Sequence, residues 1–485
     1  MSLKSQAIKG FGWSVFENIF SQGTVFVVYV VLARLLTPED FGTIAIIMAI
    51  VSISDTIADG GLSSALIQKE KVSNDDYNSV FVSNFIFSTL LYLLLVLMAG
   101  PIARIYDQHN LPKLMYVTGS ILIIHSFSTI QLTMMDKHLD FKTASIINVL
   151  STMISGAIAL ALAFSGFGIW SLVAFAVSEP LSETLMVWFV HKWRPSFKFV
   201  KKNFLELLNF GYKLLFAELI TALYGNIYYF LIGYFFSTRT LGFYTKAQQF
   251  QAPLSGYITG AISNISFPIL STLQSDDERL RSVFSKFLKF SVFINFTALV
   301  MLAAMAEPIV ILLIGEKWRD SVFYLQLLCV PGMLYPLHLL NLDLLVVKGV
   351  SDKYLRIEII KKIILIPLVF ITALFSIEVM LYGLISFSVT EYFINSSYSK
   401  KLVGYTVKDQ IKDIAPYLFM ALLIFGSMYG TGFLVSETVE NHLYKQGAVQ
   451  LFTGLIVFFV FNEIVKFEEY QEMKLWAIQL FKRKK

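Results

Sequence analysis

Long apolar segments alternate with short polar ones along almost the entire chain. A helix needs about 20 mostly apolar residues to cross ~30 Å of hydrocarbon, and fourteen segments reach that length. They cover residues 11–33, 42–66, 79–100, 113–135, 143–165, 167–190, 209–236, 244–273, 287–314, 321–346, 357–377, 379–399, 414–434 and 446–465. The pattern predicts an all-α, polytopic membrane protein with fourteen transmembrane helices. The least apolar of these is 244–273, because it contains Gln248, Gln249, Gln251 and Pro253.

Composition agrees with this interpretation. The chain has 485 residues, of which 56% are hydrophobic and 15% are charged, whereas soluble domains have about 25% charged residues. Cys329 is the only cysteine, which excludes a disulfide framework and a cysteine-based metal site, and no motif points to a cofactor or to another metal site. The first apolar run is too long for a signal-peptide core and contains Glu17, so we expect it to be a transmembrane helix.

The distribution of basic residues predicts the orientation of the chain. If the N-terminus is cytoplasmic, 31 of the 39 lysines and arginines fall on the cytoplasmic side of the fourteen spans and 8 fall outside. Cytoplasmic loops of membrane proteins carry such an excess. A missed or extra span would exchange the two sides downstream of it. The bias therefore supports fourteen spans in the bacterial inner membrane, with both termini in the cytoplasm.

The loops are too short to hold a soluble catalytic or receptor domain. The longest, 191–208, has 18 residues, and the chain contains no P-loop, HExxH or GxSxG motif. We therefore expect a transporter and not an enzyme. Residues 466–485 alternate apolar and charged positions and end in four basic residues. They predict a cytoplasmic helix at the membrane interface, with a solvated tail as the alternative.

Residues 11–42 and 210–242 predict an internal repeat. Each opens with Phe-Gly-aromatic, continues through an acidic residue (Glu17 or Glu218) and an apolar half, and ends in a short turn with glycine. The repeat predicts a six-helix N-terminal lobe over 1–200, a six-helix C-terminal lobe over 201–400, two extra transmembrane helices over 401–465 and the tail over 466–485. Parallel repeats of this kind build transporters whose two lobes rock around a central site.

Carboxylates recur inside the predicted spans, where an ionisable residue at the bilayer centre costs about 2.5–3.5 kcal/mol. Asp55 and Asp59 are four positions apart and so share one helix face, as do Glu179 and Glu183. The candidates are Glu17, Asp55, Asp59, Glu179, Glu183, Glu218 and Glu391. We expect them to line a hydrated cavity and to couple transport to H⁺ or Na⁺. Pairing between helices that only stabilises the bundle stays open as the alternative.

Four basic residues near the ends of the spans are candidates for binding a phosphate group on the cargo. They are Arg34, Lys213, Arg239 and Lys246. Snorkelling of these side chains to lipid headgroups is the alternative. His125 and His338 lie near the middle of their spans, and without a partner motif we interpret them as packing residues.

Three stretches resemble one family of exporters. They are LARLLTPEDFG (32–42), DGGLSSALIQ (59–68) and FGYKLL followed by STRTLGFYTKAQQF (210–250). The chain is similar to the polysaccharide flippases of the multidrug/oligosaccharidyl-lipid/polysaccharide exporter superfamily, and most similar to the Wzx-type lipopolysaccharide, colanic acid and teichuronic acid exporters. Arg34 and Asp59 lie within the matched stretches, and the resemblance carries over only their positions.

The resemblance implies two six-helix lobes, alternating access and a cargo of undecaprenyl-pyrophosphate-linked oligosaccharide that moves from the inner to the outer leaflet. It also implies a groove for the lipid tail at the last two helices and a cationic cavity, whereas most intramembrane charges here are acidic. A cation-coupled exporter of small organic cations therefore stays open. A glycan polymerase or acyltransferase is disfavoured, since the chain has neither a large outer loop nor a histidine-centred motif. Expected partners are the lipid-linked oligosaccharide, membrane lipid and a glycan polymerase, and no nucleic acid.

Overall fold

The computed structural model describes residues 3–438 and 442–483. Within them the chain forms eighteen α-helices and no strand, which confirms the all-α prediction. The first eight are α1 (Leu3–Leu35), α2 (Pro38–Asp59), α3 (Leu62–Gln68), α4 (Asn74–Ile105), α5 (Leu111–Lys137), α6 (Phe141–Phe164), α7 (Trp170–Val190) and α8 (Lys201–Phe235). The others are α9 (Thr238–Thr272), α10 (Asp277–Ala304), α11 (Ala306–Ile314), α12 (Asp320–Val347), α13 (Ser351–Ala373), α14 (Ile377–Ser396), α15 (Ser399–Val403), α16 (Val407–Thr438), α17 (His442–Val465) and α18 (Glu468–Arg483).

Twelve of the described helices are long and apolar enough to cross a membrane, so the chain is a multi-pass membrane protein. The predicted spans 244–273 and 357–377 fall on α9 and α13, which are not among the twelve. Both are helical, over 35 and 23 residues. Glutamines and prolines in α9 and charged residues in α13 interrupt their apolar stretches. The count of fourteen spans therefore stays a prediction.

Two predicted spans are interrupted in the structure. The prediction of one helix over 42–66 is wrong, because α2 ends at Asp59 and α3 begins at Leu62. The residues between them, Gly60 and Gly61, have left-handed φ values of 61° and 70°, which glycine adopts without a steric penalty. The span predicted over 287–314 likewise breaks at Met305, between α10 and α11.

The start of α2 explains the sequence Thr-Pro-Glu-Asp. Thr37 is the N-cap of α2, its hydroxyl accepts a hydrogen bond from the Asp40 amide, and the Asp40 carboxylate accepts one from the Thr37 amide at 2.9 Å. This capping box satisfies two amides that the helix itself leaves unpaired. Pro38 at the first turn has no amide hydrogen to lose. The motif therefore fixes where the second helix begins.

The contacts divide the chain into two compact units, Met1–Gly242 and Phe243–Lys485. In the first unit α6 packs against α1 and α7, α5 packs against α4 and α7, and α8 packs along α2 and α3. In the second unit α10 packs against α12 and α16, α14 packs against α12 and α13, and α16 packs against α17. The predicted lobe boundary at residue 200 stays a prediction.

The C-terminal segment is a helix that is docked at its beginning. Phe467 stacks on Tyr417 of α16 with ring centroids 4.5 Å apart. The Tyr417 hydroxyl donates to Glu469 at 2.7 Å, and the Tyr470 hydroxyl donates to Glu463 of α17 at 3.0 Å. These contacts hold the first turn of α18 on the second unit. Lys484 and Lys485 of the predicted basic end lie outside the described residues.

Lysines tie α3 to its neighbours in the first unit. The Lys137 ammonium donates to the carbonyls of Leu66 and Ile67, at 2.9 Å each, and so caps the end of α3. Lys69 lies 3.1 Å from Asp76 and 3.3 Å from Glu206 of α8. Burial opposes the charge on Lys69, but hydrogen bonds to these two carboxylates outweigh it, and the pKa of Lys69 is raised.

Glycines allow the backbones of the repeated segments to touch. A Cβ atom on Gly42 would lie 1.8 Å from the Thr238 carbonyl oxygen, and one on Gly242 would lie 1.8 Å from the Pro38 carbonyl oxygen. Positions 38 and 238, and positions 42 and 242, are each 200 apart. The two contacts are therefore reciprocal, as they are between surfaces related by a two-fold axis. This supports the internal repeat.

We expect Gly42→Ala and Gly242→Ala each to destabilise the protein by about 1–3 kcal/mol, the usual cost of overpacking a close contact. The measurement is the thermal unfolding midpoint of the purified protein in detergent. Gly260→Ala is the matched control, because a Cβ atom there meets nothing within 4 Å and alanine favours the helix. Equal midpoints for Gly42→Ala and the control would contradict the proposed contact.

Candidate functional site

The interior of the first unit holds a group of acidic side chains on three helices. This acidic cluster consists of Glu17 of α1, Asp55 and Asp59 of α2, and Glu179 and Glu183 of α7. His125 of α5 lies within electrostatic range of Asp55, Glu179 and Glu183, and Glu183 lies within range of Glu17. The structure thus brings five of the seven acidic candidates into one region.

The direct ionic contact of the acidic cluster joins α2 to α5. The His125 Nδ1 atom lies 3.3 Å from both carboxylate oxygens of Asp55. The two side chains remain 36% and 42% exposed. Charged groups at this depth are stable only if they meet water or each other. The pair is therefore suited to a water-accessible part of the unit, where protons and small cations can reach it.

Hydroxyl groups of α6 satisfy two of the carboxylates. Thr152 donates to Glu179 at 2.8 Å, and Ser145 donates to Glu17 at 2.7 Å. The Ser21 hydroxyl of α1 also donates to the Asn148 amide oxygen, at 2.7 Å. A hydroxyl can stabilise a carboxylate without neutralising it, so the cluster keeps its capacity to bind a cation or proton.

Asp59 is positioned by the break between α2 and α3. Its carboxylate accepts a short hydrogen bond from Ser63, one turn further along. A Cβ atom on Gly61 would lie 2.3 Å from the Gly211 carbonyl oxygen of α8, so this turn lies directly against the Phe-Gly-Tyr sequence of the second repeat. Glu218, further along α8, is exposed and lies within electrostatic range of Asp59.

The structure places the four basic candidates in different environments. Arg34 and Arg239 are exposed and lie at the end of the unit where Gly42 contacts Thr238. Lys213 is also exposed and lies near the Gly61–Gly211 contact. The 22 positions from Lys213 to Phe235, the last residue of α8, correspond to roughly 33 Å of helix, about the thickness of the hydrocarbon, and Arg239 lies beyond that end. The exposed basic residues that could bind an anion are therefore far apart along the first unit.

Lys246 differs from the other three because its side chain is buried, with 2% exposure. Its ammonium donates to the Gln249 side chain at 2.9 Å and lies 5.7 Å from the centre of the Trp318 ring. A cargo can contact this lysine only if these neighbours move.

The second unit holds a different arrangement, in which a lysine is buried between glutamates. Lys361 of α13 lies 2.9 Å from Glu391 of α14 and forms a shorter contact with Glu358. The Lys361 and Glu391 side chains are 5% and 18% exposed. His338 of α12 lies 2.9 Å from the Ser388 hydroxyl and 3.9 Å from Glu391. We call these five residues the lysine cluster.

Sequence reasoning missed the partners in both clusters. We interpreted His125 and His338 as packing residues, and counted Lys361 only among the cytoplasmic charges. The sequence does contain one sign of the lysine cluster. Glu358 and Lys361 are three positions apart, which places both groups on one helix face. Among the described residues no group of three or more histidine, cysteine or acidic side chains could hold a metal ion.

The fold is that of a multi-pass α-helical membrane protein with charged clusters inside both units. The structure is similar to one described as "Lipid II flippase MurJ, inward closed conformation". The TM-score is 0.73 and the identity 15%, over 96% of this chain and 99% of that chain. At this identity the similarity shows the fold alone.

Sequence comparison adds the family. The profile of the family "Polysaccharide biosynthesis protein" matches residues 31–323, and the chain belongs to that family. It is 25% identical to "Succinoglycan biosynthesis transport protein ExoT" of Rhizobium meliloti, over 67% of this chain and 66% of that protein. It is also 25% identical to "Lipopolysaccharide biosynthesis protein WzxC" of Escherichia coli, over 76% of each. The predicted resemblance is confirmed.

We expect Lys361→Met to destabilise the protein by about 3 kcal/mol, because it removes the nearest counter-charge of two partly buried carboxylates and leaves only Lys362, 3.9 Å from Glu358. The triple variant Lys361→Met, Glu358→Gln, Glu391→Gln should recover most of this loss, since it removes the charges together. Thermal unfolding of both variants measures the difference. The control is Lys353→Met, which breaks only an exposed ion pair with Asp352. If the triple variant were no more stable than Lys361→Met, the buried ion pair would not account for the effect.

Proposed function

We propose that this protein moves undecaprenyl-pyrophosphate-linked oligosaccharide units from the inner to the outer leaflet of the bacterial inner membrane by alternating access. Membership in the polysaccharide biosynthesis family carries the proposal, because it links a multi-pass membrane protein to glycan assembly. The name of the Rhizobium meliloti relative, a transport protein, supports transport rather than synthesis. In this proposal both termini are cytoplasmic and a glycan polymerase receives the cargo outside.

The positions of the basic side chains suit a pyrophosphate that moves along the first unit. With the N-terminus in the cytoplasm, α8 enters the membrane from the cytoplasmic side, so Lys213 lies towards that side and Arg34 and Arg239 lie towards the outer one. Lysine and arginine both form charge-assisted hydrogen bonds with phosphate. Lys213 would receive the cargo, and the two arginines would hold it before release. Lys246 joins this set only after Trp318 and Gln249 move away.

The acidic cluster supplies the coupling step in this proposal. Several carboxylates close together repel one another and also repel a pyrophosphate. Binding of H⁺ or Na⁺ to Asp55, Asp59, Glu179 or Glu183 removes part of that repulsion, and Glu17, Glu218 and Glu391 are further candidates. An inward gradient of H⁺ or Na⁺ drives export only if the cation moves opposite to the cargo. The cation would therefore bind from the outer side after the cargo has left, and its release into the cytoplasm would return the empty transporter to the cargo-binding state.

The test uses proteoliposomes that contain the purified protein and a fluorescent undecaprenyl-pyrophosphate oligosaccharide. Its accessibility to a non-permeant sugar-modifying reagent is followed with and without an H⁺ or Na⁺ gradient. Protein-dependent exchange between leaflets is the expected result. Exchange of an organic cationic dye, with none of the lipid-linked glycan, would instead establish the small-cation exporter.

We expect the double variant Asp55→Asn, Asp59→Asn to lower the rate of gradient-driven exchange by about tenfold or more. This corresponds to at least ~1.4 kcal/mol of coupling free energy. Exchange without a gradient should change less, because the basic residues that bind the cargo are intact. Asp107→Asn is the control, since Asp107 is exposed and its positive φ of 51° is one that asparagine tolerates. Unchanged gradient dependence in the double variant would refute the coupling role.

We expect Arg34→Ala and Arg239→Ala to raise the cargo concentration needed for half-maximal exchange by about fivefold to tenfold each, as the loss of a charge-assisted hydrogen bond predicts. The measurement is the initial rate of exchange as a function of cargo density. Arg104→Ala is the control, because Arg104, like Arg34, is an exposed arginine in the last turn of a helix. An equal effect of all three substitutions would indicate a general surface-charge effect.

A further inference from the structure

The second unit has a polar cavity that neither cluster uses. It lies at the beginnings of α10, α16 and α18 and has a volume of about 390 Å³. Its wall contains fixed ion pairs. Arg281 lies 3.3 Å from Asp409, and Asp413 accepts hydrogen bonds from Ser285 at 2.8 Å and from Tyr405 at 2.5 Å. These contacts give the cavity a built and charge-balanced wall.

Five further charged residues line the same cavity. Lys289 belongs to the fixed wall, because its ammonium lies 3.8 Å from Asp413, and the other four carry both signs of charge. They are Lys286, Lys412, Glu278 and Glu468, and all four side chains are exposed. Within residues 3–438 and 442–483, no hydrogen bond or ion pair is formed by these four side chains. The cavity therefore offers two cations and two anions to a ligand at the same time.

An apolar cavity adjoins the polar one. It has a volume of about 270 Å³ and a mostly apolar lining of Ile269, Val283, Phe287 and Phe290, and Glu469 and Glu472 of α18 lie at its edge. Lys286 and Glu468 line both cavities, so one continuous cleft runs between α10 and α18. The docked first turn of α18, held by Phe467 and Glu469, keeps the wall of the cleft in place.

We propose that this α10–α18 cleft binds one phospholipid with an ethanolamine headgroup. Lys286 and Lys412 hold the phosphate, Glu468 and Glu278 accept hydrogen bonds from the ammonium, and an acyl chain lies against Phe287 and Phe290. A purely anionic headgroup would leave the glutamates facing negative charge. Free phosphate would leave the apolar part empty. A lipid pyrophosphate has no ammonium group that could pair with the two glutamates.

The site adds to the proposed flippase function and does not depend on it. The cleft lies at the end of the second unit where α10 and α16 begin, and with the proposed orientation this end faces the cytoplasmic leaflet. Lysines near such a leaflet place their charge among the headgroups. A bound phospholipid would join α10 to α18 and stabilise the docked C-terminal helix.

The experiment measures lipid binding to the delipidated full-length protein by native mass spectrometry. Phosphatidylethanolamine, phosphatidylcholine and phosphatidylglycerol with the same acyl chains are titrated in turn. We expect one phosphatidylethanolamine to bind about tenfold more tightly than either of the other lipids. Phosphatidylcholine tests whether the headgroup ammonium donates hydrogen bonds to the glutamates, because its quaternary ammonium has no N–H. The same lipid should raise the thermal unfolding midpoint of the protein.

Variants assign the binding to this cleft. Lys286→Gln with Lys412→Gln should weaken phosphatidylethanolamine binding by about tenfold. Glu468→Gln should reduce its preference over phosphatidylglycerol. Lys353→Gln, an exposed substitution outside the cleft, should do neither. Equal binding of all three lipids, tighter binding of phosphatidylglycerol, or displacement of the bound lipid by undecaprenyl pyrophosphate would each overturn the proposal. None of these binding results depends on whether the protein transports its cargo.

Discussion

The interior of a membrane protein allows a charge only where another group or water compensates it, and this constraint organises both units. The first unit meets it with hydroxyl groups and a histidine, so Glu17 and Glu179 accept hydrogen bonds from α6 and Asp55 faces His125. The second unit meets it with the ammonium of Lys361 between Glu358 and Glu391. All of these contacts except Glu358–Lys361, which lies within α13, join two packed helices, so compensation of the charges also holds the helices together.

The stretches that resemble the exporter family contain glycines at which two helix backbones touch. Gly60 and Gly61 end α2 in left-handed conformations and bring the turn against Gly211 of α8. Gly42 and Gly242, which lie inside α2 and α9, bring the starts of these two helices into backbone contact. A side chain at these positions would separate the helices, whatever the cargo. The matched sequences therefore reflect the close packing of the helices. Asp59 lies in the acidic cluster because the turn at Gly60 and Gly61 fixes the end of α2.

The sequence predicts the all-α membrane architecture well because apolar length is a property of each segment alone. The acidic candidates named from the sequence leave out Asp343 of α12, which accepts a hydrogen bond from Ser263 of α9 at 2.7 Å. The sequence does not predict the interruptions at Gly60 and Met305, since apolar periodicity continues through them. Nor does it predict the contacts of Asp55 with His125 or of Lys361 with Glu391, 70 and 30 positions away. Such pairs depend on the packing of helices, which one sequence without homologues does not specify.

The two clusters differ in what they can do during a transport cycle. In the lysine cluster, an internal ammonium already compensates the carboxylates, and removal of either partner leaves a costly buried charge. Such a pair resists exchange with the solvent and suits a structural role. In the acidic cluster, carboxylates outnumber the single histidine, and Asp55 and His125 are partly exposed. A proton or cation can therefore bind and leave there at a lower cost. If transport is ion-coupled, the changing charge belongs to the first unit, and the second supplies a fixed framework.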